Sequence, residues 1–349
     1  MTLVNISRSS AVASADREDR LAHQIRDLPV VVISPHNQCN CRCVMCDIWR
    51  IRKPQQITPD ALERQLTSIR ELNVRWMVFS GGEAQLNAHL PVLARMLRDE
   101  GIRITLLTAG LLLESEADSI ASAFDDVIVS LDGPPPLHNQ IRRVAGAFEK
   151  VAAGIAALRR ARPEIVVSAR CTVQKANHHS LCATVDAARQ IGLNSISFLA
   201  ADVSSSAFNR PDGWPPERQE MVALNPAEIS VLEAELERLI SDHRADMESG
   251  FVVENASKLL RIARHFRAHL GEVEHIAPRC NAPWVSAVIE ASGDVRPCFF
   301  HPAVGNLHSG TLQEIVNGPD ALNFRASLDV TTNPICRRCV CSLHLPRQV

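Results

Sequence analysis

Four cysteines lie within eight positions near the N-terminus: Cys39, Cys41, Cys43 and Cys46. Disulfides, a zinc ion, redox thiols and an iron–sulfur cluster all use cysteine, so the spacing must discriminate between them. Three thiolates spaced C-x3-C-x2-C, as in Cys39, Cys43 and Cys46, can bind three irons of a 4Fe–4S cube and leave the fourth iron free. Zinc prefers four ligands, commonly from paired C-x-x-C units, and Cys41 is cramped between its neighbours. The spacing favours a cluster, with zinc and redox thiols as the alternatives.

A second group of cysteines lies near the C-terminus. Its members are Cys280, Cys298, Cys336, Cys339 and Cys341. Two of them flank a predicted hairpin and two form a C-x-x-C unit, a combination that can close either a tetrahedral zinc site or a 4Fe–4S cluster. Residue types alone leave both metals open. Five thiols compete for four places, so Cys341 either replaces Cys339 or stands free.

The composition narrows the class of protein. The 349 residues are 46% hydrophobic and 22% charged, as in ordinary globular proteins, with a net charge of −2 and no tyrosine. This composition argues against a nucleic-acid partner. Neither a signal peptide nor a run of about 18 apolar residues is present, which predicts a cytoplasmic protein without a membrane partner. Because thiols stay reduced in the cytoplasm, the odd total of eleven cysteines indicates metal ligands more than disulfides.

Six short apolar segments alternate with helical patterns, which predicts right-handed β–α units around a parallel sheet. Six units, fewer than the eight of a closed barrel, predict a partial (β/α)6 TIM-like barrel with an α/β fold. The predicted strands are Val30–Ser34, Trp76–Ser80, Arg103–Thr108, Val127–Leu131, Ile165–Arg170 and Ser195–Leu199.

The pattern changes after Ala200, which suggests four regions. They are an N-terminal extension (1–28), the barrel (29–203), a connecting loop and helices (204–270) and a small α+β, cysteine-rich module (271–349). Single helices are predicted from Thr58 to Leu72 and over Val252–Leu270, with a further helix capped by Asn225 and Pro226. A hairpin is expected to turn at Ser292–Asp294.

Three motifs stand in register at successive strand ends. CNCRCVMC follows the first strand, SGGEAQL the second and SLDGPPPLHNQIRRVAGAF the fourth. Together they resemble the radical S-adenosylmethionine (SAM) superfamily over about Val30–Ala200. The resemblance implies that the open iron of the N-terminal cluster binds SAM, which is cleaved reductively to methionine and a 5′-deoxyadenosyl radical.

The resemblance also implies a set of SAM contacts. Glu83 would accept from the amino group, Ser130 and Arg142 would bind the carboxylate with Arg170 as a second candidate, and Met45 and Leu199 would touch adenine. Thr108 and Asp132 would reach the ribose, and the Ser80-Gly81-Gly82 turn would allow close approach of the backbone. Three positions depart from the usual pattern: Met45, Ala84 after the GGE motif, and the T-A-G that ends the third strand.

The C-terminal cysteines resemble the twitch module, a shortened SPASM domain. This resemblance implies a second, auxiliary 4Fe–4S cluster bound by four of Cys280, Cys298, Cys336, Cys339 and Cys341. Cys171 and Cys182 are expected to be inert core thiols. His301, beside Cys298, is the histidine worth testing.

The two resemblances imply a radical SAM oxidoreductase that abstracts hydrogen from an unactivated C–H bond of a small molecule. The expected outcome is a net oxidation or a rearrangement in a biosynthetic pathway. A flavodoxin or ferredoxin would supply electrons. About 28 residues precede the first strand, too few for a peptide-recognition domain, so maturation of a ribosomal peptide with a separate recognition partner is the alternative. A non-enzymatic iron–sulfur or zinc regulator is a second, more remote alternative. No residue identifies itself as the catalytic base.

Overall fold

A computed structural model of the chain describes residues 23–346. Residues 1–22 of the predicted N-terminal extension and residues 347–349 lie outside this range. The six predicted parallel strands are present and occupy consecutive places in one sheet. They are Val30–Ile33 (β1), Trp76–Phe79 (β2), Arg103–Thr108 (β3), Asp126–Ser130 (β4), Val166–Val173 (β5) and Ser195–Ala200 (β6).

Helices separate these strands, so each strand runs parallel to the one before it. The helices before the C-terminal module are Pro59–Glu63 (α1), Leu66–Glu71 (α2), Leu90–Asp99 (α3), Leu113–Ala123 (α4), Pro135–Arg142 (α5), Ala147–Ala161 (α6), Leu181–Gln190 (α7), Pro216–Glu220 (α8), Pro226–Asp242 (α9), Arg244–Glu248 (α10) and Ala256–His269 (α11). The apolar strand residues are buried between sheet and helices, as the nearly continuous apolar sequences predict. The partial (β/α)6 fold is confirmed.

The C-terminal module continues the barrel sheet and forms no sheet of its own. Its strands are Ser286–Ile289 (β7), Asp294–Arg296 (β8) and Gly305–Asn306 (β9), and its helices are Ala282–Val285 (α12), Leu312–Val316 (α13), Pro319–Ser327 (α14) and Pro334–Arg337 (α15). Strand β7 pairs in parallel with β1, and β8 returns antiparallel to β7 as the expected hairpin. The module is therefore joined to the edge of the barrel beside the strand that leads into the first cysteine group.

Two predicted helices are shorter in the structure. The helix predicted from Thr58 to Leu72 breaks at Arg64 and Gln65, where buried Gln65 accepts a hydrogen bond from the backbone of Leu312 at 2.9 Å. The helix predicted over Val252–Leu270 begins at Ala256 because Asn255 caps it, while Val252 pairs with Ile196 along the edge of β6. Tertiary contacts cause both the break in the first helix and the later start of the second. Neither contact can be predicted from the local sequence.

Strand β5 extends beyond its predicted end at Arg170 and continues to Val173. Arg170 is therefore a strand residue, paired in register with Ser130 of β4. Among the described residues, no helix is both long and apolar enough to cross a membrane.

Candidate active site

A cavity of about 300 Å³ opens at the C-terminal ends of the parallel strands, where barrel active sites form. Cys39, Cys43 and Cys46 line one wall of this cavity. Nine of the predicted SAM contacts line it as well: Met45, Ser80, Gly81, Gly82, Thr108, Ser130, Arg142, Arg170 and Leu199. The structure thus brings most of the residues selected from sequence around one space.

Cys41 is set apart from its three neighbours. Its side chain is buried and does not line the cavity. A hydrogen bond with Cys41 lowers the pKa of the Cys43 thiol to about 6, and the Arg142 guanidinium, 3.5 Å from the Cys43 Sγ, acts in the same direction. Burial raises the pKa of Cys46 to about 12. Cys43 therefore supplies a thiolate more readily than Cys46.

The three thiols that line the cavity match the number of ligands of a 4Fe–4S cluster with one open iron. A cubane cluster binds each thiolate through a different iron. Within residues 23–346, no three Cys, His, Asp or Glu side chains converge tightly enough to hold a single metal ion. Three thiols on one wall of an open cavity suit a cluster with one accessible iron.

Glu83 lies just behind the cavity wall and is 1% exposed. Its carboxylate accepts hydrogen bonds from the backbone N–H groups of Ala109 at 2.8 Å and Gln85 at 3.3 Å. Burial raises the pKa of this carboxyl group, and within the described chain no cationic side chain forms an ion pair with it. A buried carboxylate without a cation is costly, so the position suits a cationic group brought by a ligand.

Asp132 does not line the cavity and is completely buried. Its Oδ2 lies 2.6 Å from the Arg142 guanidinium, and its Oδ1 accepts from the backbone N–H of Thr172 at 3.0 Å. His138 accepts from the Asp132 backbone N–H at 3.1 Å, and burial lowers the pKa of this histidine to about 3. Asp132 is thus placed to orient Arg142, and its contact with the ribose stays a prediction.

Arg170 and Ser130 stand side by side on the cavity wall. Among the described residues, the Arg170 guanidinium donates a side-chain hydrogen bond only to the Ser197 hydroxyl, at 3.4 Å, although its charge also acts on the Glu254 carboxyl group. A guanidinium fork that no carboxylate engages by hydrogen bonds can bind a ligand carboxylate through two parallel hydrogen bonds. Arg142 and Arg170 therefore remain two candidates for that contact.

Residues 202–218 form a strap over the cysteine loop, and all of it from Ser204 onward was predicted as a connecting loop. Arg210 pairs with Asp202 at 3.1 Å and donates to the Met45 carbonyl at 2.8 Å. Trp214 donates to Asp47 at 2.6 Å, and Arg218 donates to the Val44 carbonyl at 2.6 Å. These contacts hold the chain on both sides of Cys46. No local sequence motif predicts them.

Gly82 packs so closely on the cysteine loop that a side chain has no room. A Cβ there would lie 2.2 Å from the backbone oxygen of Gln38, one residue before Cys39. Gly82→Ala is therefore expected to displace the start of the loop, at a cost of about 1–3 kcal/mol, and to lower the iron bound after reconstitution. Gly310→Ala, where the nearest atom is a flexible Glu314 carboxylate oxygen 3.3 Å away, is the control. Normal iron binding by Gly82→Ala would contradict this interpretation.

The five C-terminal cysteines lie close enough for their charges to influence one another. Burial and then the charge of neighbouring thiols raise the pKa of Cys298 and Cys336 to about 11, with Cys280 acting on both. Cys339 is influenced by Cys341, Cys298 and Cys280 in the same sense. Such mutually unfavourable charges are stabilised when a metal centre binds the thiolates.

His301 is buried against this group. Its Nε2 lies 3.4 Å from the Cys336 Sγ, and its ring packs on Phe324 with centroids 4.8 Å apart. Burial lowers the pKa of His301, so a neutral ring faces the thiol. A ring N–H directed at a ligating sulfur would orient it and stabilise its negative charge.

The cavity wall includes three aromatic residues that sequence analysis missed: Phe208, Phe299 and Phe300. Phe208 and Phe299 pack with ring centroids 4.9 Å apart. The same three rings border a second, more polar hollow of about 470 Å³ that also contains His36 and Arg296. The two phenylalanines directly after Cys298 are the only sequence signal for this wall, since Phe208 lies in the strap.

Comparison with known families decides the identity. The profile of the radical SAM superfamily matches residues 33–188, and that of the SPASM iron–sulfur cluster-binding domain matches residues 280–340. The chain belongs to the radical SAM superfamily. Its radical SAM domain uses a 4Fe–4S cluster and SAM, and its SPASM domain holds an auxiliary iron–sulfur centre.

Curated relatives of this radical SAM protein have several activities. A GTP 3′,8-cyclase of Xanthomonas campestris pv. campestris (strain B100) is 31% identical over 220 residues, which are 59% of this chain and 62% of the cyclase. The match thus spans less than two thirds of that relative. Pre-heme d1 synthase of Dinoroseobacter shibae is 27% identical over 330 residues, covering 90% of this chain and 79% of the synthase.

Solved structures share the fold. Streptococcus suis SuiB bound to its precursor peptide SuiA superposes with a TM-score of 0.65 at 15% identity, covering 98% of this radical SAM chain and 78% of SuiB. Native anSMEcpe with bound AdoMet superposes with a TM-score of 0.63 at 20% identity, covering 89% of this chain and 86% of anSMEcpe. Both confirm a partial barrel followed by a SPASM-type domain.

Proposed function

We propose that this radical SAM enzyme oxidises a small molecule at an unactivated C–H bond, with its auxiliary cluster receiving the second electron. The observation that carries the proposal is the position of Cys341. This thiol lines the same cavity as Cys39, Cys43 and Cys46, from the opposite end of the sequence. A substrate in that cavity would lie between the two metal-binding groups.

The N-terminal cluster and SAM, held by Cys39, Cys43, Cys46 and the residues of the cavity wall, would supply a 5′-deoxyadenosyl radical able to take a hydrogen atom from the substrate. The residues of this chain bind and shield the reactants. Glu83 offers a buried negative charge for the SAM amino group, and Arg142, held by Asp132, offers a positive one for the carboxylate. Phe208, Phe299 and Phe300 cover the cavity with apolar surface, which limits the access of water to a reactive radical.

The size of the cavity supports a small substrate. About 300 Å³ is at the lower end of ordinary ligand pockets, and SAM would occupy part of it. The polar hollow beyond the three phenylalanines offers His36, Asn37, Gln55 and Arg296 for the remaining groups of a substrate such as a sugar or nucleoside. We place the reacting carbon on the cavity side of the aromatic rings.

The direct test is anaerobic reconstitution with iron and sulfide, followed by dithionite and SAM. The proposal expects 5′-deoxyadenosine by chromatography and about eight irons per chain. A protein that leaves SAM intact would instead support a structural or regulatory metal centre, and zinc in the C-terminal group would remove the electron-accepting role.

A peptide substrate is the second candidate. It is favoured by the likeness in fold to SuiB, a structure that contains a precursor peptide, over 98% of this chain. The open polar hollow beside the cavity could take an extended segment. A separate peptide-binding protein that raises 5′-deoxyadenosine formation, with a change in mass of the peptide, would favour this candidate over a small molecule.

Cys341 provides a test of the auxiliary site. If Cys280, Cys298, Cys336 and Cys339 are its ligands, Cys341→Ala keeps about eight irons per chain and leaves SAM cleavage intact. Cys339→Ala is the matched comparison and is expected to lose about four irons. If Cys341→Ala lost iron while Cys339→Ala retained it, Cys341 would be the fourth ligand and Cys339 would not.

A further inference from the structure

A third hollow, positively charged and about 270 Å³ in volume, lies at the end of β6, next to α11 and the C-terminal segment. Five cationic side chains line it, Lys258, Arg261, Arg264, Arg279 and Arg337, against one acidic residue, Glu274. We call this set the basic hollow. Nothing in the proposed chemistry of the SAM cavity uses these residues.

Most of this positive charge is not neutralised by neighbouring groups. Arg337 pairs with Glu274 at 3.3 Å and Arg261 donates to the Cys339 carbonyl at 3.1 Å. In the part of the chain that the structure covers, Lys258, Arg264 and Arg279 form no ion pair, and all three are exposed. Burial lowers the pKa of His265 in the same hollow to about 3, so the charge comes from groups that do not titrate near neutral pH.

Exposed apolar side chains accompany these cations. Ile276 lines the basic hollow and is 61% exposed, and Ile335, next to Cys336, is 38% exposed. A small apolar centre with a charged rim is typical of surfaces that bind a protein partner briefly, because the charges guide the encounter and the apolar contacts are few. A site for a small anion would instead gather its cations inward and away from solvent.

The basic hollow also reaches the auxiliary group of cysteines. Cys339 lines this hollow, while Cys341, two residues later, lines the SAM cavity. The hollow and the cavity are neighbours, because Leu199, Ala200 and Val340 line both. Cysteines of the C-terminal group therefore face both spaces, so an electron accepted beside the cavity can leave through the basic hollow.

We propose that the basic hollow is the docking surface for a small acidic one-electron carrier protein that reoxidises the auxiliary cluster. The inference rests on the proposed function, in which that cluster takes one electron from the substrate. Reoxidation passes this electron to the carrier, so the oxidised carrier gains one electron and the cluster loses one. No bond forms or breaks, and the proton released by the substrate does not follow this route.

The test uses the reconstituted full chain and an oxidised bacterial flavodoxin as the probe. Titration calorimetry gives the flavodoxin Kd at low and physiological ionic strength. Stopped-flow absorbance follows formation of the flavodoxin semiquinone from protein that was reduced and freed of dithionite. The patch variant carries Lys258→Glu, Arg264→Glu and Arg279→Glu. The control carries Arg64→Glu, Arg95→Glu and Lys150→Glu, which are exposed elsewhere and change the net charge equally.

We expect the patch variant to bind flavodoxin at least about tenfold more weakly than the control, with a matching loss in the rate of semiquinone formation. Affinity of the unmodified chain should fall as salt rises. Dithionite-driven formation of 5′-deoxyadenosine should be equal in all three proteins, and its absence throughout would refute the proposed function separately.

Three results would overturn the docking proposal. Equal weakening in both triple variants would show an effect of net charge alone. Unchanged binding in the patch variant would place the carrier elsewhere. Binding of inorganic triphosphate that the patch variant loses, in a protein that does not bind flavodoxin, would assign the basic hollow to a small anion.

Discussion

Replacing Cys43 by alanine is expected to abolish 5′-deoxyadenosine formation and to remove about four irons per chain. Cys43 lines the SAM cavity beside Cys39 and Cys46, and its thiol lies 3.5 Å from the Arg142 guanidinium. Two remaining thiols would hold a cubane cluster poorly, so SAM would find no reductant in the cavity. Iron analysis and chromatography after anaerobic reconstitution measure both effects.

Cys41→Ala is the matched control for this prediction. Cys41 lies in the same loop, two residues away, yet its thiol is buried and does not line the cavity. The control should retain about eight irons and SAM cleavage. If Cys41→Ala behaved like Cys43→Ala while Cys39→Ala remained active, the three ligands would have been assigned wrongly.

Replacing Asp132 by asparagine is expected to destabilise the apoprotein by about 3–5 kcal/mol, because it leaves the buried Arg142 charge without its partner. Both side chains are nearly inaccessible, and their closest atoms lie 2.6 Å apart. Equilibrium urea unfolding measures the loss in free energy. In the holoenzyme we also expect a higher KM for SAM, because Arg142 would no longer be held toward the cavity.

Glu248→Gln is the control for Asp132→Asn. It breaks the ion pair of Glu248 with Arg244, 2.9 Å long, in which both side chains are more than half exposed. Exposed pairs contribute roughly 0–1 kcal/mol, so little change is expected. A loss of stability in Asp132→Asn no larger than in this control would show that the buried pair does not hold Arg142.

Local sequence was enough to predict the barrel and most of the cavity. Strands such as β2 are buried on both faces, so their apolar runs stand out, and the groups at strand ends necessarily meet on one side of a parallel sheet. This explains why Ser80, Thr108 and Ser130 were found from sequence and do line one cavity. Cys39, Cys43 and Cys46, which we propose as cluster ligands, line this cavity too, because they lie in a single loop.

Contacts between distant parts of the chain could not be predicted in the same way. The strap resembles an ordinary polar loop until Arg210, Trp214 and Arg218 are seen to bind the cysteine loop. Asp132 follows a strand, as the other contacts do, but helix α5 folds over it and brings Arg142 against its carboxylate. Pairing of β7 with β1, which attaches the C-terminal module to the barrel, likewise has no local signal.

The central claim is that Cys39, Cys43 and Cys46 hold a cluster whose remaining iron binds SAM. Electron–nuclear double resonance of the reduced holoprotein tests it most directly, with SAM isotopically labelled at its carboxylate and amino groups. The account predicts hyperfine coupling of both labels to the N-terminal cluster, lost in Cys43→Ala and kept in Cys341→Ala. A reduced N-terminal cluster that shows no coupling to either label would contradict it.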